Sequence, residues 1–384
     1  MTYPPLELIS KLVSFATVSR DSNLELIEFV RAYLDEHGIE SRLVPSDDGA
    51  KANLYATIGP MAEGGVVVSG HTDVVPVDGQ PWDTDPFTLV QKDGRLYGRG
   101  TADMKSFYAV ALALLPKMLE RKLQRPIHLA LSYDEEIGCL GAPRMIERIA
   151  SELPRPRAVL VGEPTSMCVV NAHKSLTGLE TVVTGHEAHS SQSHRGVSAV
   201  MTAARLISFL EDMARENAGG TPSGMPFEPP FSTIHVGTVQ GGTATNIISR
   251  ECRFSWDVRC IPEDDPQTFL HRFAEFCGDQ ILPDMRAIAP EADIVTHIWA
   301  SAPALQPEPD GEAEMLAKQL TGYNSTDVVA YLAEAGQFQQ AGFSTVLCGP
   351  GSIDQAHQPN EYIETSQVDE CVGFFHRLID LQAQ

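Results

Sequence analysis

The chain has 384 residues, of which 43% are hydrophobic and 7% aromatic, so a mini-protein and a mainly disordered chain are excluded. Its 28 Lys and Arg residues against 51 Asp and Glu residues give a formal net charge of −23. Because this charge repels phosphate backbones and anionic membranes, we expect neither a nucleic-acid partner nor a membrane partner.

The first part of the chain predicts helices that alternate with strands. Apolar residues recur at helical spacing over residues 6–38, with Gly38 as the expected stop. Strands are predicted at 41–44, 53–58, 66–68, 127–133 and 158–161, and helices at 106–121 and 142–150. Such alternation indicates a mostly parallel sheet in an α/β fold.

The pattern changes near residue 178, where short strands become more frequent. Strands are predicted at 179–183, 232–239, 252–258 and 294–299, helices at 197–215 and 267–276, and a Gly- and Pro-rich loop at 219–230. After residue 300 the first pattern resumes, with helices at 316–320 and 366–381 and a strand at 345–348. We therefore predict a discontinuous α/β domain at 1–177 and 300–384, and a smaller inserted α+β domain at 178–299.

The sequence carries no sign of a membrane span, a leader or a disulfide framework. No apolar stretch approaches the roughly 18–20 residues that a spanning helix needs, and the first five residues lack a basic region followed by an apolar one. The seven cysteines are odd in number, scattered and without a CxxC pair. We therefore expect a cytoplasmic protein with reduced thiols.

Potential metal ligands follow four of the predicted strands. His71 and Asp73 come after 66–68, Glu135 and Glu136 after 127–133, Glu163 after 158–161, and His357 follows 345–348 through a loop. Since ligands bind beyond the carboxyl ends of parallel strands, these side chains are expected at one edge of the sheet. Clustered carboxylates would take up protons unless a cation compensated them, so we expect a divalent metal. Histidine and carboxylate ligands without cysteine suit zinc, cobalt or manganese in a hydrolytic site.

Taken alone, each of these motifs also has an ordinary structural explanation. His71 could bind a metal while Asp73 accepts its other N–H, or it could simply be a hydrogen-bonded histidine. Asp103, in a glycine-rich turn before a helix, could be a ligand or a helix N-cap. One of Glu135 and Glu136 could ligate a metal while the other takes a proton from water, or both could be solvated loop acids.

Taken together, five segments resemble a known family. They are residues 69–76 (SGHTDVVP), 98–105 (GRGTADMK), 134–136 (DEE), 162–165 (GEPT) and 349–362 (GPGSIDQAHQPNEY). On these segments the chain resembles the M20 metallopeptidase and aminoacylase family, and the last segment looks most like the deacetylases within it. The resemblance spans essentially the whole chain and implies a zinc-peptidase-like catalytic domain in the α/β part.

The resemblance also implies a site for two divalent metal ions, with zinc expected and cobalt as the alternative. Asp103 would bridge the two ions. His71 and Glu163 would hold one of them, and Glu136 and His357 would hold the other. Two ions about 3.5–4 Å apart can share a hydroxide and polarise a carbonyl.

Three further features of the catalytic domain follow from the resemblance. Glu135 would be the general base, Asp73 would orient His71, and the peptide bond between Asp103 and Met104 would be cis. Water would then be the nucleophile of a hydrolytic reaction.

In the inserted domain, the resemblance implies a lid that also forms a homodimer. Within 185–191 (GHEAHSS), His189 would stabilise the oxyanion from the partner subunit. Asn246 in 241–246 (GGTATN) and Arg259 in 257–259 (DVR) would hold substrate, with Arg259 suited to a bidentate grip on an α-carboxylate. Alternatively, Arg259 is a structural arginine paired with Asp257.

The sequence departs from the deacetylase pattern at Ala333, where those enzymes usually have Thr. The neighbouring Glu334 could face the amine end of an ornithine-like substrate, or it could cap the element before Gly336.

The expected function is metal-dependent hydrolysis of the amide bond of an N-acyl amino acid. The expected substrate is N2-acetyl-L-ornithine, which would yield L-ornithine and acetate in arginine biosynthesis. Alternative substrates are succinyl-diaminopimelate, N-acetylcitrulline and a dipeptide. A non-catalytic binding protein with the same fold is the alternative from another class.

Overall fold

The computed structural model describes residues 2–220 and 224–384, which form two compact units. Unit 1 comprises the described residues up to Ala172, together with Leu305–Val328 and Ala333–Gln384. Unit 2 comprises the described residues of His173–Ala304 and Val329–Leu332. Unit 1 is therefore discontinuous along the chain.

The strands alternate with helices in unit 1 and cluster more closely in unit 2. In chain order they are β1 (Ser41–Pro45), β2 (Ala52–Ile58), β3 (Val66–His71), β4 (Val90–Lys92), β5 (Arg95–Tyr97), β6 (Ile127–Ser132), β7 (Ala158–Pro164), β8 (Val170–His173), β9 (Leu176–Thr184), β10 (Thr233–Gly241), β11 (Glu251–Arg259), β12 (Asp293–Ala302), β13 (Asp327–Val329), β14 (Thr345–Gly349) and β15 (Tyr362–Glu364).

The helices range from single short turns to the 21-residue helix of unit 2. In chain order they are α1 (Pro5–Val13), α2 (Leu24–Glu36), α3 (Lys105–Ala113), α4 (Leu115–Glu120), α5 (Ala142–Glu152), α6 (Ala199–Gly219), α7 (Pro266–Glu275), α8 (Leu282–Ile288), α9 (Glu312–Thr321), α10 (Ala335–Gln340) and α11 (Thr365–Gln382). A 3₁₀ turn spans Ser190–Arg195, and a π-helical turn spans Phe276–Ile281.

An eight-stranded sheet forms the centre of unit 1, in the order β1-β2-β6-β3-β7-β14-β8-β13. Its four middle strands, β6, β3, β7 and β14, run parallel to one another. Each of these strands is buried along its whole length. Burial on both faces explains why they are continuous apolar runs such as Val66-Val67-Val68. The predicted α/β class with a large, mostly parallel sheet is thus confirmed.

Unit 1 has one hydrophobic core, to which the helices and the sheet both contribute. Helix α3 is buried on almost every side and packs against α1, α11 and β3. Its Phe107 ring lies 5.2 Å from the ring of Phe375 in α11, measured between centroids. The residues at the N-terminus of α3 are therefore held on a rigid, fully packed helix.

Unit 2 contains a four-stranded antiparallel sheet in the order β10-β11-β9-β12. Along β11, Cys252, Phe254, Trp256 and Val258 are buried and alternate with more exposed residues. This alternation is expected when only one sheet face packs against helices, here α6 and α7. Unit 2 therefore has its own hydrophobic core.

Some elements differ from the predictions. The segment predicted as helical over 6–38 is two helices, α1 and α2, and the helix predicted at 106–121 is divided into α3 and α4. Pro116 explains the second break, since it has no N–H to continue the hydrogen bonds of α3. The loop predicted at 219–230 includes residues 221–223, which lie outside the described residues. Within residues 2–220 and 224–384, no helix combines the length and apolar character that a membrane crossing requires.

Candidate metal centre

The carboxyl ends of the four parallel strands bring the predicted ligands of unit 1 together. His71 is the last residue of β3, and Glu163 lies near the end of β7. Glu136 follows β6, and His357 follows β14 through a loop. Asp103 precedes α3, which packs against β3. Because parallel strands end at the same edge of a sheet, side chains far apart in sequence meet there.

The first ligand group consists of His71, Asp103 and Glu163, all of them buried. His71 Nε2 lies 3.0 Å from Asp103 Oδ1 and 4.0 Å from Glu163 Oε1. The other ring nitrogen, Nδ1, is 2.9 Å from the carbonyl oxygen of Asp73. Since a carbonyl can only accept, Nδ1 carries a proton in either charge state of the ring, so Nε2 is the nitrogen that can donate to Asp103 or bind a metal ion in place of its proton.

The second ligand group consists of Asp103, Glu136 and His357. His357 Nε2 lies 3.2 Å from Asp103 Oδ2 and 3.0 Å from Glu136 Oε2. Asp103 therefore directs one carboxylate oxygen to each group. In both groups the potential ligand atoms all lie within 4.8 Å of one another.

The charges of these side chains strongly perturb their pKa values. Burial raises the pKa of Glu163 well above its usual value and that of Glu136 to about 6. Burial alone would also raise the pKa of Asp103, but hydrogen bonds to His357 and His71 hold it below its usual value. Hydrogen bonds to Asp103 and Glu136 raise the pKa of His357 to about 11.

The same residues fit one or two divalent cations. Without an ion, protons must neutralise part of the negative charge of the buried carboxylates. The raised pKa of Glu163 shows this, because its carboxyl group holds a proton more readily than usual. Glu163 Oε1 is buried and has no hydrogen-bond partner among the described residues. A cation beside it would satisfy this oxygen and compensate its charge. Imidazole and carboxylate donors without thiolate suit zinc and cobalt.

Asp73 orients its neighbours differently from the sequence expectation. The sequence predicts that the Asp73 carboxylate accepts the His71 N–H, whereas in the structure the Asp73 carbonyl accepts it at 2.9 Å and the carboxylate Oδ1 lies 3.7 Å from the same nitrogen. The carboxylate instead accepts hydrogen bonds from the backbone N–H groups of Glu135 and Glu136 and from the Ser19 hydroxyl. Asp73 therefore contacts the His71 ring through its main-chain oxygen and holds the loop after β6 through its side chain.

Glu135 belongs to neither ligand group, but it interacts electrostatically with members of both, namely Glu163, His71 and Glu136. Burial and the nearby charge of Glu163 raise its pKa well above the usual value, so Glu135 can accept and hold a proton. The Cys139 thiol lies 3.4 Å from Glu135 Oε1 and can donate to it. The peptide bond between Asp103 and Met104 is cis, as the resemblance implied.

Glu334 is buried with the acids of this cluster and is not exposed at a surface. It is the N-cap residue of α10, yet its side chain makes no capping hydrogen bond. Its charge contributes to the raised pKa values of Glu135 and Glu163. The alternative that its side chain caps the next element is therefore not supported.

The other three predicted residues lie in unit 2. The Ser190 N–H donates to the Asn246 carbonyl, which brings the segments of His189 and Asn246 together. His189 Nδ1 accepts from the Ser191 N–H at 3.2 Å, so its proton is on Nε2 when the ring is neutral. Arg259 Nε lies 3.4 Å from Asp257, the partner that the structural alternative requires. Substrate roles for these residues stay predictions.

Sequence reasoning missed several residues that support the ligands. Ser19 binds the Asp73 carboxylate, and Cys139 contacts Glu135. Arg99 and Glu361 form a buried ion pair beside the Asp103 turn. Arg99 and Glu361 stand inside segments used for the family resemblance, but nothing in their local sequence marks them as buried. All seven cysteines are free, as the sequence predicts.

A known protein family matches most of the chain. The model of Peptidase family M20/M25/M40 matches residues 67–381. An acetylornithine deacetylase from Myxococcus xanthus is 33% identical over 388 residues, which cover 98% of this chain and 97% of that protein.

Solved structures share the fold at lower sequence identity. An M20 family metallo-carboxypeptidase from Sulfolobus solfataricus is 18% identical with a TM-score of 0.76, and 100% of each chain is covered. The YXEP protein of Bacillus subtilis, described as a dinuclear metal binding peptidase of the M20 family, is 17% identical with a TM-score of 0.65. That match covers 98% of each chain.

Proposed function

Because the chain belongs to peptidase family M20/M25/M40 and is thus a hydrolase, we propose that it uses two metal ions to remove the acyl group from an N-acyl amino acid. The proposed substrate is N2-acetyl-L-ornithine, with L-ornithine and acetate as products. The observation that carries the proposal is Asp103, whose two carboxylate oxygens face two separate ligand groups. The relative named acetylornithine deacetylase, matched over nearly the whole chain, supports the substrate.

We propose the first and second ligand groups as the two metal sites, with zinc as the metal and cobalt as the alternative. When bound, the ions supply Lewis acidity, which makes a water molecule a nucleophile near neutral pH and polarises the scissile carbonyl. The protein's contribution is to fix the donors in advance: His71 is held as the Nδ1–H tautomer, and Asp103 sits at the start of a packed helix.

Glu135 is the proposed general base and acid. Its carboxylate is buried beside the ligand groups, and its raised pKa suits a group that takes a proton from water and later gives it to the departing amine. Two contacts restrict the orientation of Glu135. The Cys139 thiol donates to its carboxylate, and its backbone N–H donates to the Asp73 carboxylate. Positioned proton transfer of this kind contributes about 10²–10⁴-fold to a rate.

His189 is the proposed oxyanion donor, supplied by the partner subunit of a homodimer. An oxyanion requires an N–H donor, and the hydrogen bond from Ser191 leaves the proton of the neutral ring on Nε2. One such donor is worth about 3–4 kcal/mol in the transition state. The proposed substrate contacts are Asn246, Arg259 for the α-carboxylate, and Glu334. A cytoplasmic location and a place in arginine biosynthesis stay predictions.

The experiment that tests the function is a competition among N-acyl amino acids. Metal-loaded protein is incubated with an equimolar mixture of N2-acetyl-L-ornithine, N-acetylcitrulline, succinyl-diaminopimelate and a dipeptide, and the released amino acids are quantified over time. We expect ornithine to appear first. A matched Glu135→Gln variant should bind the same amount of metal and lose about 10²–10⁴-fold in rate.

Other outcomes of this competition separate the alternatives. Faster release of citrulline, diaminopimelate or free amino acids from the dipeptide would replace the proposed substrate and keep the chemistry. No release from any substrate by protein that carries two ions would favour the non-catalytic alternative. Equal rates for the wild type and Glu135→Gln would remove Glu135 as the base.

A further inference from the structure

A buried carboxylate organises the turn that carries Asp103. Glu361 Oε1 accepts hydrogen bonds from the backbone N–H groups of Ala102 at 2.8 Å and Asp103 at 3.1 Å. Its Oε2 accepts from the Gly100 N–H at 3.0 Å and from Arg99 Nη1 at 2.7 Å. One side chain thus satisfies three of the four backbone N–H groups of residues 100–103 and an arginine, and it is about 1% exposed.

Arg99 extends the network toward the other ligand loop. Its Nη2 donates to Gln80 Oε1 at 2.7 Å, and Gln80 Nε2 donates to the carbonyl oxygen of His357 at 2.9 Å. The guanidinium carbon also lies 5.1 Å from the centroid of the Trp82 ring. A continuous chain of hydrogen bonds therefore joins the backbone of Asp103 to the backbone of His357.

All three members of the second ligand group lie in loops or turns, and the network joins two of them, Asp103 and His357. Glu136, the third member, has a separate anchor, since its N–H donates to the Asp73 carboxylate. The first ligand group differs, because His71 and Glu163 belong to strands of the central sheet. The second group thus depends on the network for two of its three ligands, and the first group for Asp103 alone.

We propose that Glu361, through Arg99 and Gln80, is a positioning residue that fixes Asp103 and His357 and so sets the affinity of the second ligand group for its metal ion. The inference rests on the proposed two-metal site. It assigns to Glu361 no contact with metal or substrate. Groups of this kind behind metal ligands typically change metal affinity by about 10–100-fold when they are substituted.

The experiment is a titration of chelator-stripped full-length protein with zinc, followed by calorimetry and by competition with a chromogenic chelator. For Glu361→Gln we expect the second binding step to weaken by about 10–100-fold and the first step to weaken less. Hydrolytic rate should return toward the wild-type value at high zinc concentration, because the catalytic groups are intact. If Glu361 had only a structural role, Glu361→Gln would lower the midpoint of thermal unfolding but would weaken the two zinc-binding steps equally.

Glu364→Gln is the matched control. Glu364 pairs with Arg95 at 2.8 Å and joins β15, which directly follows Glu361, to β5, which lies just before Arg99 in the chain. Both side chains are about 40% exposed and reach neither ligand loop. We expect Glu364→Gln to bind both ions as the wild type does.

Gln80→Ala tests the network without removing a buried charge, and it decides the result if Glu361→Gln does not fold. Gln80 reaches the His357 loop directly, so we expect a weaker second step with the first step unchanged. The inference would be overturned if Gln80→Ala, and any Glu361→Gln that folds, bound zinc with wild-type affinity. It would also be overturned if Glu361→Gln and Glu364→Gln lost equal amounts of zinc affinity. Wild-type protein that binds fewer than two ions would instead contradict the proposed function itself.

Discussion

Glu334 combines complete burial with a carboxyl group that has no hydrogen-bond partner of good geometry among the described residues. Burial raises its pKa from 4.5 to about 7. An isolated buried carboxylate is costly, so the neutral acid is the favoured form at moderate pH. A cationic substrate group or a nearby metal ion would reverse this preference.

The metal-free protein should therefore lose stability as pH rises. The folded-state pKa of Glu334 lies above its unfolded-state value, so its contribution is complete below about pH 4.5 and is lost as pH increases through about 7. Thermal melts of chelator-treated wild type and Glu334→Gln between pH 4.5 and 8.5 measure this effect. We expect the variant to lose less stability than the wild type across that range.

Parallel pH profiles for the two proteins would show that Glu334 does not titrate in this window. Melts of the metal-loaded proteins serve as the control. Two nearby cations should lower the pKa of Glu334 and make the two profiles more alike.

At the scale of elements, helix α3 packs so closely against the end of β7 that it restricts which residues can stand there. Gly162 directly precedes Glu163, and a Cβ atom there would lie 1.9 Å from the ring of Phe107 in α3. Phe107 is fully buried, and its ring packs against Phe375. The glycine is thus needed so that the strand carrying a proposed ligand can approach α3 closely.

Gly162→Ala should destabilise the protein by about 3 kcal/mol, the upper part of the usual range for overpacking in a dense core. Denaturant unfolding measures this as a lower midpoint at an unchanged slope. The matched control is Gly237→Ala in β10, where the nearest atom outside the adjoining residues is 3.7 Å from an added Cβ. Equal midpoints for the two variants would mean that Phe107 moves aside easily.

The elements that the sequence predicts best are those with a strong periodic or continuous apolar pattern. The strands that carry the site are such runs, and β3 and β14 begin at the predicted residues. The strands β8 and β13 at one end of the large sheet, and the small sheet of β4, β5 and β15, were not predicted. Their strands have three or four residues each and take their pairing from distant segments, which no local pattern specifies.

The same distinction applies within the site. Ligands can be predicted because they directly follow buried strands or occupy a recognisable motif, as His71 and Glu163 do. The supporting roles of Ser19 and Glu361 depend on partners 54 and about 260 positions away in the chain. Such contacts arise only when the chain folds, so sequence patterns alone do not reveal them.

At the scale of the whole molecule, the chain has two hydrophobic cores, one in each unit. The five proposed ligands and Glu135 belong to unit 1, whereas His189, Asn246 and Arg259 belong to unit 2. The proposed mechanism requires residues from both. In a homodimer whose His189 acts on the partner, each active site would combine unit 1 of one chain with unit 2 of the other.

Mixing two inactive variants tests this arrangement. Glu135→Gln and His189→Ala homodimers are combined in equal amounts, unfolded, and refolded together. If His189 acts across the dimer, half of the dimers are mixed and each has one intact site, so about one quarter of the wild-type activity should return. Each variant refolded alone is the control. If His189 serves its own chain, every site in the mixture carries a defect and no activity returns.

The discontinuity of unit 1 has a consequence for how the protein is made. The chain leaves unit 1 at Ala172 and re-enters it at Leu305. A ribosome releases His71, Asp103 and Glu163 before it has translated unit 2, whereas His357 emerges only afterwards. A nascent polypeptide paused within unit 2 therefore contains every member of the first ligand group and lacks one member of the second, so the second ligand group can be completed only late in translation.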